Sequence, residues 1–241
     1  SAAEADRKAL VIADPYTNYT QPAVGKAAVR TLEAAGVHVA IPDEVTDSGR
    51  PAHSKSLLDH SRSTARANVD ALAPMIDDGW DVVSVEPSDA VMYQEDYLDL
   101  LAGDDVEAVA NNTYSVMEYL DSFRLDEALT ADAGETVAYH GHCHQTAASR
   151  DHHAVGVLRR VGYEVDVLDT TCCGMAGSFG YEAEHYSMSQ AIGQLLFDAV
   201  DESPAQEVVA PGTSCRSQLA DYEKQYGKPP HPIEKVDAAR S

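Results

Sequence analysis

Cysteine is scarce in this chain: there are four in 241 residues, and none before Cys143. That density is far too low for a secreted disulfide scaffold, so a reduced, cytoplasmic setting is expected. Apolar runs are short as well. None approaches the roughly 18 residues of a membrane-crossing helix, which leaves at most a peripheral place on the inner face of a membrane. A basic-then-apolar leader is missing, and residue 1 is Ser rather than Met, so an excised piece of a longer protein, lacking its partner domain, is expected. Positive charge is sparse: 17 Lys+Arg stand against 40 Asp+Glu, a net charge of −23. With no basic stripe to displace counterions from phosphates, nucleic acid is excluded as a partner. The acidic residues are spread along the chain and lysine is scarcer than arginine, a halophilic, haloarchaeal-like composition suited to a salt-rich cytosol. Neither Gly-x-Gly-x-x-Gly nor a Walker lysine pattern occurs, so nucleotide binding is set aside.

What is present centres on Asp169 to Gly180, which sets Cys172 and Cys173 before Gly174, Gly177 and Gly180. Val165–Leu168 reads as a short buried strand leading into it, and Tyr181 onward as a helix. Adjacent cysteines on a trans backbone reach disulfide geometry only with strain, so the pair is read as serving a third party that the glycines allow the backbone to approach. Cys143 follows the apolar run Thr136–Tyr139, and Cys215 follows Val208-Val209. All four thiols thus fall where a strand ends and a helix begins, the edge at which open α/β sheets bind ligands.

Strands are expected at Lys8–Asp14, Val37–Pro42, Asp81–Val85, Thr136–Tyr139, Tyr163–Leu168 and Glu207–Ala210. Helices are expected at about Gln21–Ala35, Ser54–Asp77, Val91–Leu101, much of Val106–Leu129, Asp151–Val161, Glu182–Val200 and Ser217–Tyr226. The alternation gives an α/β fold of two tandem pseudo-symmetric repeats with mainly parallel sheets. Residues 1–130 form the cysteine-free repeat and 131–241 the one carrying the site. Aligning the halves sets Thr46-Asp47-Ser48-Gly49 on Thr171-Cys172-Cys173-Gly174, and Ser88-Asp89 on Ser214-Cys215. Asp47, Ser48 and Asp89 then mark a degenerate first-half site whose hard oxygens suit neither iron–sulfur clusters nor other soft-metal sites.

His140-Gly141-His142-Cys143-His144-Gln145, Cys172 to Glu182, and Ala210-Pro211-Gly212-Thr213-Ser214-Cys215-Arg216 resemble the cysteine-rich CCG-domain proteins. The likeness is greatest to the iron–sulfur part of FAD-linked glycolate and D-lactate oxidases and to the C subunit of anaerobic glycerol-3-phosphate dehydrogenase, and it extends to Asp14–Tyr19, Gly49-Arg50-Pro51 and Glu86-Pro87-Ser88. It implies an iron–sulfur electron-transfer module that passes electrons from FAD, on a separate domain or subunit, toward a quinone or ferredoxin-like clusters. The related heterodisulfide reductase pattern implies disulfide reduction at the cluster instead; here Cys215 is followed at the Cys-x-x-Cys distance by Gln218.

The residues leave four readings open: buried apolar thiols, a zinc site or zinc taken up on purification, a redox disulfide, and a 4Fe–4S cluster on Cys143, Cys172, Cys173 and Cys215. The cluster leads, with a zinc- or disulfide-stabilised interaction domain as an alternative. Around the thiols, His140, His142, His144, Arg216 and Gly174 are candidates for contacts to sulfur, the bland reading of the histidines being solvent-facing loop residues. Alternation would put the three histidines on one face and Cys143 on the other. No residue is assigned a catalytic role in substrate oxidation.

Overall fold

The computed structural model describes residues 7–45, 47–129, 134–170, 172–222 and 228–240, in two compact units, Ser1–Ala128 and Leu129–Ser241. Thr46 and Thr171 of the matched loops, the expected 130/131 boundary and Tyr226 lie outside the described residues.

In the first unit, β1 (Arg7–Ile12), β2 (Val37–Ala40), β3 (Trp80–Ser84) and β4 (Thr113–Ser115) form a parallel sheet in the order β2-β1-β3-β4. Ala9 to Ile12 are all buried, the continuous apolar run of a strand covered on both faces. Around the sheet run α1 (Pro22–Ala34), α2 (Arg50–Ser54), α3 (Leu58–Asp77), α4 (Pro87–Val91), α5 (Tyr97–Leu100), α6 (Asp104–Asn111) and α7 (Val116–Ser122), with π-helical turns at Tyr16–Thr20 and Met92–Asp96. Ala65, Val69 and Leu72, at helical spacing on α3, pack with Leu10, Val82, Tyr93 and Tyr97 in the core.

Two expectations need correction here. The helix expected from Ser54 starts at Leu58, because Ser56 takes a positive φ of 60°; Leu57 and Leu58 are exposed. The helix expected over Val106–Leu129 is split into α6, β4, α7 and a 3₁₀ turn at Leu125–Leu129. Thr113 to Ser115 pair with β3, and Ser115 then caps α7 in a reciprocal box with Glu118. Within this chain, Ser-x-x-Glu after a β-branched and aromatic pair was the available signal.

The second unit holds β5 (Thr136–Tyr139), β6 (Glu164–Val167) and β7 (Glu207–Val209), parallel and in the order β6-β5-β7. Its helices are α8 (Cys143–Ala147), α9 (His152–Arg160), α10 (Tyr186–Glu202), α11 (Thr213–Tyr222) and α12 (Pro232–Ala239). Strand β6 is not the buried strand expected: among the described residues it is an edge strand, with Glu164 and Val167 exposed. The helix expected from Glu182 begins at Tyr186, after a 3₁₀ turn at Phe179–Tyr181. Helix α12 is not anticipated by the sequence pattern; His231 caps it, with Pro232 in its first turn. The unit's apolar cluster joins Ala138, Leu168, Met175, Leu196, Phe197, Val208 and Leu219 to Cys173 and Cys215. Among the described residues no helix is long and apolar enough to cross a membrane.

Candidate metal centre

Because β5, β6 and β7 are parallel, their carboxyl ends share one edge, and the loop leaving each carries cysteine. From β5 comes His140-Gly141-His142 into α8, which Cys143 opens. From β6 comes Leu168 to Ser178, and from β7 comes Ala210-Pro211-Gly212 into α11 with Cys215 in its first turn.

The tandem-cysteine loop is seated on α10. A Cβ on Gly174, whose φ is +92°, would lie 2.1 Å from the carbonyl oxygen of Ser189, and one on Gly193 would lie 3.0 Å from the carbonyl oxygen of Cys173. Only glycine allows both the left-handed turn and this contact. Gln218 of α11 completes the lock: its Nε2 donates to Ser189 O at 3.1 Å and to Ser189 Oγ at 3.2 Å. The residue standing where heterodisulfide reductases carry a further cysteine is therefore a fully buried clamp here.

Seated this way, the loop brings Cys173 to Cys215. Ligand atoms of His140, Cys173 and Cys215 all lie within 4.8 Å of one another, and all three residues are buried. Cys172 is half-buried beside them, its Sγ accepting from Gly174 N at 3.3 Å. The bond to Cys173 and burial push the Cys172 thiol well up. For Cys173 the Cys172 bond pulls down, but the bond to Cys215 and burial together push it up to about 12. The thiols are thus held protonated near neutral pH, and a bound cation would displace those protons. His140 has its backbone N on Val209 O at 3.0 Å and its Nδ1 3.0 Å from Thr170 Oγ1. Burial lowers its pKa to about 4, keeping it neutral. Cys143 is exposed and does not belong to the group within 4.8 Å.

The remaining candidates fall into place around this group. His142 is buried: a Cβ on Gly212 would lie 2.3 Å from its Cδ2 and 3.4 Å from Cys215 Sγ, so its ring lies over Gly212 beside that thiol. His144 is half-buried and edge-on to His142, with centroids 5.1 Å apart. Solvent-facing loop histidines are thus not what the structure has at 140 and 142. Cys173 and Cys215 belong to the core cluster. Arg216 is no surface ion-pair partner: buried behind Cys215, it donates to the carbonyl oxygens of Ala210 and Pro211 and to Thr213 Oγ1, bracing the loop from β7.

Tandem thiols on a glycine turn, a third thiol from the next strand and a buried histidine at one sheet edge make a soft-metal donor set. Residues 137–220 match the cysteine-rich domain family CCG. Over most of its length the chain is also similar to proteins of Escherichia coli K12. It is 30% identical over 223 residues to D-2-hydroxyglutarate dehydrogenase, covering 91% of this chain and 21% of that protein. It is 29% identical over 209 residues to the C subunit of anaerobic glycerol-3-phosphate dehydrogenase, covering 85% and 52%, and 24% identical over 222 residues to the glycolate oxidase iron-sulfur subunit, covering 89% and 54%. The chain thus spans about a fifth of the first relative and about half of the other two.

The first unit contains a loop built like that of the CCG domain, with oxygen in place of sulfur. Gly49 N donates to Asp47 Oδ1 at 2.8 Å as Gly174 N does to Cys172 Sγ, and both glycines have positive φ. Ser48 Oγ donates to Asp89 Oδ1 at 2.6 Å, the pair that the expected repeat sets on Cys173 and Cys215. Sequence reasoning missed one member: at the end of β1, Thr17 Oγ1 donates to Asp14 Oδ2, and the spacing from Asp14 to Thr17 equals that from His140 to Cys143. Burial, the neighbouring Asp14 and other carboxylates hold Asp89 well above the usual carboxylate range, against the opposing Ser48 bond.

Proposed function

We propose that the chain is the iron–sulfur electron-transfer module of an FAD-linked oxidoreductase acting on a 2-hydroxy acid or glycerol 3-phosphate. The observation that carries this is the convergence of His140, Cys173 and Cys215, with Cys172 bonded to Cys173, on one edge of a parallel sheet. The donors fit the group: three soft thiols, two of them walled by core residues that exclude water, with a backbone N–H already directed at one sulfur. A 4Fe–4S cluster bound there would supply one-electron storage between a flavin and its acceptor. The chain's own part is to hold the thiols, brace their loops through Gln218 and Arg216, and keep water from the inner side. The count of four cysteines gives the remaining cluster position to Cys143. The flavin domain or subunit, and a quinone or ferredoxin-like acceptor, are proposed partners on the resemblance to CCG-domain proteins. Nothing in this chain is assigned to proton or hydride abstraction. The cysteine-free unit is proposed to be the first of two repeats, a reading supported by the matching loops and by sheets that both place the first strand between the second and third.

A second reading is favoured by one distance. Thiolates of a single tetrahedral zinc lie about 3.8 Å apart, given Zn–S bonds of about 2.3 Å, and ligand atoms of His140, Cys173 and Cys215 that all lie within 4.8 Å of one another are close enough to share one such ion. Redox titration of the anaerobically isolated chain, followed by visible absorption and EPR, separates the two. A reversible one-electron step with iron and sulfide present supports the electron-transfer reading; stoichiometric zinc and no redox step replaces it with a structural zinc site.

A further inference from the structure

We propose that His140 is itself a metal ligand, taking the inner position that the cysteine count gives to Cys143; this rests on the reading that the CCG site holds a metal. Three observations carry it. His140 is 1% exposed, and one of its ring nitrogens lies within 4.8 Å of the Cys173 and Cys215 sulfurs, a group that does not include exposed Cys143. Its main chain is pinned at the end of the central strand by the bond to Val209 O. Its Nδ1 is engaged by Thr170 Oγ1 at 3.0 Å, which leaves Nε2 to coordinate. A ligating imidazole typically has its other nitrogen fixed by a hydrogen bond, which sets the tautomer and the ring plane; Thr170 is the positioning residue that does this here. Imidazole nitrogen and thiolate sulfur are both ordinary ligands of soft and borderline metals. Cys172, bonded to Cys173 and close enough to act on His140 electrostatically, supplies the third thiolate of a Cys₃His set.

The test uses the full chain and two probes. Co²⁺ is titrated anaerobically into wild type and variants, reading the thiolate charge-transfer and d–d bands; separately, the iron-reconstituted protein, with histidine ¹⁵N-labelled in one sample, is examined by pulsed EPR. His140→Ala is expected to weaken Co²⁺ binding more than about 100-fold, beyond the 10–100-fold typical of a residue that only orients a ligand. Thr170→Val should fall within that range, and Cys143→Ser should weaken Co²⁺ binding less than His140→Ala does. His140→Cys should retain Co²⁺ with stronger thiolate charge transfer, which shows that the fold survives substitution at this position. The paramagnetic site should show strong histidine nitrogen coupling that His140→Ala removes. The inference is overturned if His140→Ala binds Co²⁺ as wild type does, if Cys143→Ser rather than His140→Ala abolishes binding, if wild type binds no Co²⁺, or if a site that has taken up iron lacks nitrogen coupling. Wild type that binds Co²⁺ through His140 but takes up no iron and sulfide would refute the electron-transfer reading and leave this one standing.

Discussion

Glycine at 174 is where a single methyl group decides the site. Gly174→Ala combines a positive φ with a Cβ 2.1 Å from a main-chain oxygen, so the loop must leave α10, and a loss of several kcal/mol together with metal retention is expected. Gly177 provides the control: its φ is +67° but its Cβ would meet nothing within 4 Å, so Gly177→Ala should cost only the left-handed penalty of about 1–2 kcal/mol. Thermal midpoints of the two variants check the contrast. Asp89 is a second residue-scale case. Its pKa is raised in the folded chain by burial and then by Asp14, so the folded state binds its proton more tightly than the unfolded state does. Stability from this group is therefore greatest below the ordinary aspartate range and falls as pH rises toward the raised value. Asp89→Asn should flatten that fall and raise the thermal midpoint at neutral pH; a midpoint lowered at neutral pH would contradict it. At this scale the sequence was legible for the thiols, because residue type and strand-end position are both visible in it. It could not rank the three histidines, since burial of His140 depends on where β6 and β7 place their loops.

Elements were legible where an apolar period or a cap stood alone. The run Ala9 to Ile12, the α3 stripe from Ala65 to Leu72 and the strand Thr136–Tyr139 were all read from pattern. β4 was lost inside an expected helix because three residues give no period, and its strand state comes from pairing with β3. α12 was missed because its eight residues bring only Ile233 and Val236 into the core. The junction of α10 with α11 carries a prediction of its own. Gln218→Ala removes the side-chain donor to Ser189 O and Oγ in a fully buried place, and losing these bonds should cost about 0.5–1.5 kcal/mol each. A chemical denaturation midpoint equal to wild type would show that the clamp is not needed.

For the whole molecule, charge exerts the largest influence that no single contact reveals. A net charge of −23 repels itself at low ionic strength, and the screening length falls to about 3 Å near 1 M salt. The thermal midpoint should therefore rise between dilute buffer and molar KCl; a flat or falling midpoint would contradict the halophilic expectation. Each sheet places its first strand between its second and third, and each unit has a glycine turn closed by a backbone N–H on a side chain two residues back, which supports the proposed repeat. The central claim is that the cysteine-carrying unit holds an iron–sulfur centre on buried thiols. The most direct measurement is iron and acid-labile sulfide per chain, with EPR after reduction, in anaerobically reconstituted wild type, Cys173→Ser and Cys215→Ser. The account predicts a filled, reducible centre in wild type and a sharp loss of iron and signal in both variants; a wild-type chain that takes up no iron and sulfide, or variants that retain both in full, would contradict it.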